Sequence, residues 1–268
     1  AKNTVPNMDI VVNEADEKEK KWWLGKGSLG SLGIDEESYM FLYAIRNATN
    51  QNSVFNWGSI SLYTNLSTNK YEEPDACFIP IRLLEASNAV LNPCDRNGSP
   101  WPTIILEVAS SETLQHARDK INDNWLVHDR CEDVIVIKIG NWEGRRSNKT
   151  TQRPLRRLRC LKFCRTATLQ QNPNATTFEA IEEIEFGSTY ANGGESYFCT
   201  GPHMKWLTIN CNCIYAGCPQ PPPLPSFHTF ISSRPFSSPR FPYPLQAPGV
   251  AMDLYDLQQA IFSAMGHN

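Results

Sequence analysis

Three residues have the types and the spacing to do chemistry together: Asp75, Glu107 and Lys120. Glu107 stands inside the apolar run Trp101 to Ala109, which reads as a buried strand. A carboxylate on such a strand is strongly destabilising unless it is paired, protonated or bound to a cation. Alternation puts Glu107 on the face of Ile105 and Ala109, so its own strand offers no polar partner. Asp75 opens another strand directly after Pro74, and Lys120 lies on the segment that follows Glu107. Two carboxylates at neighbouring strand ends make a hard, oxygen-rich site of the kind Mg²⁺ selects, with Mn²⁺ as a substitute, and a lysine beside them orients or deprotonates a water. Such a set hydrolyses phosphodiesters, because the cation neutralises the charge that develops on the phosphoryl oxygens. Taken singly, Asp75 is also a common turn acid and Lys120 an ordinary residue on the flank of a helix.

The elements that must hold these residues are legible as periodicities. "VFNWGSISLYTN" predicts a strand or a hairpin, "PDACFIP" a short strand bounded by prolines, and residues 81 to 100 a loop rich in Asn, Pro and Gly. "TIILEVA" is a third strand. Ser110 or Ser111 is placed to cap a following helix in which Leu114, Ala117, Ile121, Trp125 and His128 form one stripe. On that helix Lys120 falls about 100° from the centre of the stripe, where its stem can lie on the sheet and its ammonium reach a cleft. "DVIVIKI", residues 133 to 139, has the β-branched run of a strand at a sheet centre. Ahead of these, residues 35 to 46 predict a helix with Asp35, Glu36 and Glu37 in its first turn, where the helix dipole favours acids.

Pro74-Asp75, the strand Ile105-Leu106-Glu107-Val108-Ala109 with Ser110 and Ser111, the helix bearing Lys120 and the strand Val134 to Ile139 together resemble the PD-(D/E)XK nuclease superfamily, and within it the large restriction-endonuclease branch. The resemblance covers residues 34 to 142. It implies an α/β fold with a restriction-endonuclease-like mixed central sheet flanked by helices, and an endonuclease that cleaves DNA with Mg²⁺. It also implies that Asp75 and Glu107 hold the metal and that Lys120 positions the water. The superfamily's commonest lysine lies two residues after the glutamate, where this chain has Ala109. The branch takes its lysine from the following helix, which nominates Lys120; Lys138, near the end of the next strand, is the reserve, and Glu37 a further acid. The rival reading is a nuclease-fold module without catalysis that binds nucleic acid or a protein, and a third is an interaction protein working through its C-terminal segments.

Outside this core the chain divides into an arm (1–33), a β-rich extension (143–218), a Pro-rich arm (219–250) and a terminal amphipathic helix (251–268) carrying Leu254, Leu257, Ile261 and Met265. That helix is suited to docking on its own domain or on a second copy as a homodimer. The glycines of "GKGSLGSLG" do not follow the phosphate-loop spacing. Residues 144 to 165 carry nine basic and no acidic side chains. Such a run tracks a phosphate backbone or, as the favoured reading, forms a solvated hairpin facing the acids between Glu179 and Glu185. "WLTINCNCIYAGCP" reads as a strand with Leu207, Ile209, Cys211, Cys213 and Tyr215 on one face, which disfavours zinc; Cys199 and His203 would be needed to complete such a site. A net charge of −3 favours no class of partner, and the nine scattered cysteines suit reduced thiols. With no apolar N-terminal core and no membrane-length apolar run, the expectation is an intracellular protein of nucleus or cytoplasm.

Overall fold

The computed structural model describes residues 54–65, 67–85, 93–110, 112–127, 130–140, 147–148, 150–218, 229–231 and 249–266. The predicted first helix, Glu37, the glycine loop and most of the Pro-rich arm lie outside these residues. In chain order the elements are β1 (Val54–Gly58), β2 (Leu62–Asn65), β3 (Lys70–Glu72), β4 (Ala76–Pro80), α1 (Ile81–Glu85), β5 (Ile104–Ala109), α2 (Leu114–Lys120) and a π-helical turn (Ile121–Trp125). They continue with β6 (Asp133–Ile139), β7 (Leu158–Cys164), α3 (Arg165–Gln171), β8 (Glu182–Glu185), β9 (Trp206–Asn210), α4 (Cys211–Ile214), β10 (Thr229–Ile231), β11 (Gly249–Asp253) and α5 (Leu254–Gly266).

Six strands form an open mixed sheet in the order β1-β4-β5-β6-β7-β8, in which only the β5–β6 pair is parallel. A parallel pair needs a crossover, and α2 with the π-turn supplies it. Strands β5 and β6 are covered on both faces, which is why they read as continuous apolar runs. On one face Ile105, Ala109, Val134, Val136, Leu161 and Phe163 pack with Ala117, Ile121, Trp125 and Leu126 of the crossover. On the other, Leu106, Ile135, Ile137 and Cys160 share a core with Leu207, Ile209, Ile214 and the C-terminal helix. Leu254, Leu257 and Ile261 of α5 are buried there, so the helix spends its apolar stripe on its own fold. The structure lends no support to a homodimer formed through that stripe.

Several expectations change. β1 and β2 are not a hairpin: β1 pairs with β4, and β2 with β3. Within the expected loop 81–100, Ile81–Glu85 is a helical turn. The crossover helix is capped by Thr113, whose hydroxyl accepts from His116 N at 3.1 Å, rather than by Ser110. The strand at Trp206 stops at Asn210, whose side chain caps α4, so Cys211 and Cys213 are helical and not strand residues. Residues 229–231 add β10 alongside β11. Gly187 follows β8 where the chain closes on β7, and a Cβ there would overlap Leu158 N and Arg156 O. Among the described residues no helix is long and apolar enough to cross a membrane.

Candidate active site

Asp75 immediately precedes β4. The β4–β5 register, Ala76 with Leu106 and Cys77 with Ile105, carried one step further sets Asp75 opposite Glu107. Both then point to the face covered by the crossover, because Cys77 and Ile105 do. One oxygen of Asp75, Oδ2, accepts the backbone N–H of Val108 at 2.5 Å, which ties the carboxylate to the strand beside Glu107.

Glu107 is 3% exposed, and its partners come from the crossover rather than from its own strand. Lys120 Nζ lies 2.8 Å from Oε1 and 2.9 Å from Oε2, and the Trp125 indole N–H donates to Oε1 at 2.7 Å. The ammonium also donates to Glu73 O at 3.1 Å, so it makes two hydrogen bonds, one of them to Glu107 Oε2, besides its close approach to Oε1. As alternation predicts, the glutamate's own strand supplies no partner, and the burial of Glu107 is compensated by an ion pair and an indole from the crossover. Even so, burial pushes Glu107 up to about 7; Lys120 and the indole pull it down, while the charge of Asp75 pushes it further up.

The π-turn explains how Lys120 and Trp125 reach the same carboxylate. In an α-helix residues five apart stand about 140° apart. Here Leu126 N bonds Ile121 O, the i to i+5 pattern that widens the turn and brings such residues close to one side. Lys120 Nζ consequently lies 5.4 Å from the centre of the Trp125 ring. Trp125 is legible in the sequence only as a core residue of the helical stripe; no sequence signal marks the wider turn.

Lys138 stands beside Ala109 in the β5–β6 register, on the same face. Its ammonium is held by Ser110 O at 3.2 Å and Glu112 O at 2.6 Å, where burial lowers its pKa. It thus braces the loop after β5, while Lys120 holds the glutamate.

The residues fit a hard cation in part. A carboxylate offers about four acceptor positions, and hydrogen bonds take two of those on Glu107, one on each oxygen. Asp75 engages Val108 through Oδ2 and leaves Oδ1 for another partner. The mutual repulsion of the two acids is what a divalent ion would relieve.

The basic run is mostly spent within the fold. Arg159 meets Glu183 at 3.0 Å, Arg157 pairs with Glu185, Arg165 meets Glu132 at 2.5 Å, and Arg153 donates to Cys199 O at 2.9 Å. The expected facing of bases and acids is seen where β7 pairs with β8, with Arg159 and Lys162 opposite Glu185 and Glu182, but α3 lies between the two strands, so they are not a hairpin, and Lys162 is buried rather than solvated. Residues 145, 146 and 149 lie outside the described part. Cys199 and His203 do not join Cys211 and Cys213: His203 stacks on Trp206 and faces Asp253 at 3.4 Å.

No family model, no curated protein and no solved structure matches the chain.

Proposed function

We propose that the chain is a divalent-cation-dependent endonuclease with a restriction-endonuclease-like sheet, acting on DNA inside the cell. What carries the reading is the convergence of Asp75, Glu107 and Lys120, from three separate elements, on one end of the sheet. Asp75 and Glu107 would hold Mg²⁺ or Mn²⁺, which when bound supplies charge neutralisation at the phosphoryl oxygens. Lys120 fixes both oxygens of Glu107 and, by exchanging its bond to Glu73 O for one to a water, orients that water beside the acids. Trp125 excludes solvent from the inner side of Glu107 and keeps its carboxylate in one rotamer.

The test is conversion of supercoiled plasmid to nicked circles in Mg²⁺ by the purified chain and by Glu107→Gln and Asp75→Asn. The reading expects nicking by the parent alone; equal nicking by all three would refute it.

A second reading keeps the fold without the reaction, as a module that binds nucleic acid or a protein. Ala109 at the commonest lysine place and the engagement of Lys120 with Glu73 O and Glu107 favour it. It predicts no divalent-ion binding at these acids.

A further inference from the structure

A second group of ligand-type side chains lies on the opposite face of the sheet. Asp133 opens β6 and Cys164 closes β7, and the two are direct register partners. Cys213 reaches them from α4, and one ligand atom from each residue lies within 4.8 Å of the other two. Asp133 shares its face with Ile135 and Ile137, whereas Glu107 faces the crossover, so the sheet separates the two sites.

The carboxylate of Asp133 is fully buried; no N–H or O–H donates to either oxygen, and the groups that face it are the weakly donating thiols of Cys164 and Cys213. Its nearest cation, Lys162, stands 3.7 Å away and gives its hydrogen bond to Thr208 O at 2.7 Å instead. A buried acid left this way is strongly destabilising unless something else binds it. The two sulfurs are 3.7 Å apart, within S–H···S contact and with no disulfide between them. Two thiolates on one tetrahedral ion, each about 2.3 Å from it, stand about 3.8 Å apart. Cys164 Sγ also accepts the backbone N–H of Ala167 at 3.4 Å, a contact a thiolate makes better than a thiol.

We propose that Asp133, Cys164 and Cys213 form a buried binding site for a thiophilic divalent ion, Zn²⁺ by ligand chemistry. Two thiolates select such an ion over Mg²⁺, and a water takes the fourth position. Charge closes as well: two thiolates and a carboxylate are offset by the dication and the Lys162 ammonium. Cys164 and Cys213 keep 4% and 6% of their surface exposed, which marks the side from which the ion is loaded. The site is structural in position, pinning α4 to the end of the β6–β7 pair where β6 begins and β7 finishes.

The experiment is titration of the reduced full chain with Co²⁺ alone, read by the near-ultraviolet charge-transfer band that appears only when thiolate binds the ion, followed by displacement with Zn²⁺. One equivalent per chain should develop the band, Zn²⁺ should abolish it, and Zn²⁺ should raise the unfolding temperature. Cys213→Ser, checked for folding by circular dichroism, should lose the band, Asp133→Asn should weaken binding, and Glu107→Gln should leave both unchanged. Absence of the band in the unaltered chain overturns the proposal whatever the variants do. A band of full strength in both Cys213→Ser and Asp133→Asn overturns it too, by placing the ion on other cysteines.

Discussion

Replacing Glu107 with Gln should remove a specific pH dependence from the stability of the protein. Burial holds the folded-state pKa near 7, against 4.5 for the unperturbed group, so the folded chain keeps its proton through a range in which the unfolded chain has lost it. Stability from this group is complete below pH 4.5 and is lost as pH rises from there through 7. A tenfold difference in proton affinity between the folded and unfolded chain is worth about 1.4 kcal/mol. Between pH 5 and 8 the loss integrates to about 2–3 kcal/mol. Gln keeps an oxygen for the Trp125 indole and cannot titrate, so this slope disappears. The assay is urea unfolding of parent and variant at pH 5 and 8, in the absence of divalent ions. The stability difference between the two proteins should change by about 2–3 kcal/mol across that interval, in the direction that favours Gln at pH 8. Parallel pH profiles would refute the reasoning, since they would mean that Glu107 titrates alike in both states.

Lys120→Met takes the cation from Glu107, which then keeps its proton; one unit above a folded-state pKa of about 7 that protonation costs about 1.4 kcal/mol, so the variant should lose up to about 1.4 kcal/mol more at pH 8 than at pH 5, read from unfolding curves at the two pH values. Trp125→Phe removes one charge-assisted hydrogen bond and should cost about 1.5–3 kcal/mol at pH 8, with a raised Glu107 pKa readable by carboxyl-selective NMR. Arg159→Ala breaks an ion pair whose acid is largely solvated and should change stability in urea unfolding by no more than about 1 kcal/mol. Gly187→Ala forces backbone against a new Cβ and should lower the melting temperature more than Arg159→Ala does, by scanning calorimetry.

The parts of this fold legible in the sequence are those where one period governs a whole segment. "DVIVIKI" is β6 from Asp133 to Ile139, and the stripe of Leu114, Ala117 and Ile121 is the buried side of the crossover. The same rule places Glu107 on the face of Ile105 and Ala109, and the helix geometry brings Lys120 to it. What the sequence hides depends on departures from a period or on contacts distant along the chain. The π-turn, which delivers the Trp125 indole to Glu107, leaves no mark in residue spacing. Alternation extends the strand at Trp206 through Cys213 because Leu207, Ile209, Cys211 and Cys213 are all buried, yet the Asn210 cap turns the chain into a helix there. Cys213 consequently meets Cys164, 49 residues away, instead of its neighbours in sequence. The edge strands read as a hairpin because the pairing partners β1 and β4 lie on either side of an intervening β2–β3 pair.

The most direct test of the proposed active site is calorimetric titration of the full chain with Mg²⁺ at pH 7.5, beside Asp75→Asn and Glu107→Gln. The account predicts one saturable site in the parent, with protons released as the ion displaces those on Glu107, and no such site in either variant. Magnesium binding that persists unchanged in both variants, or its absence from the parent, would contradict it.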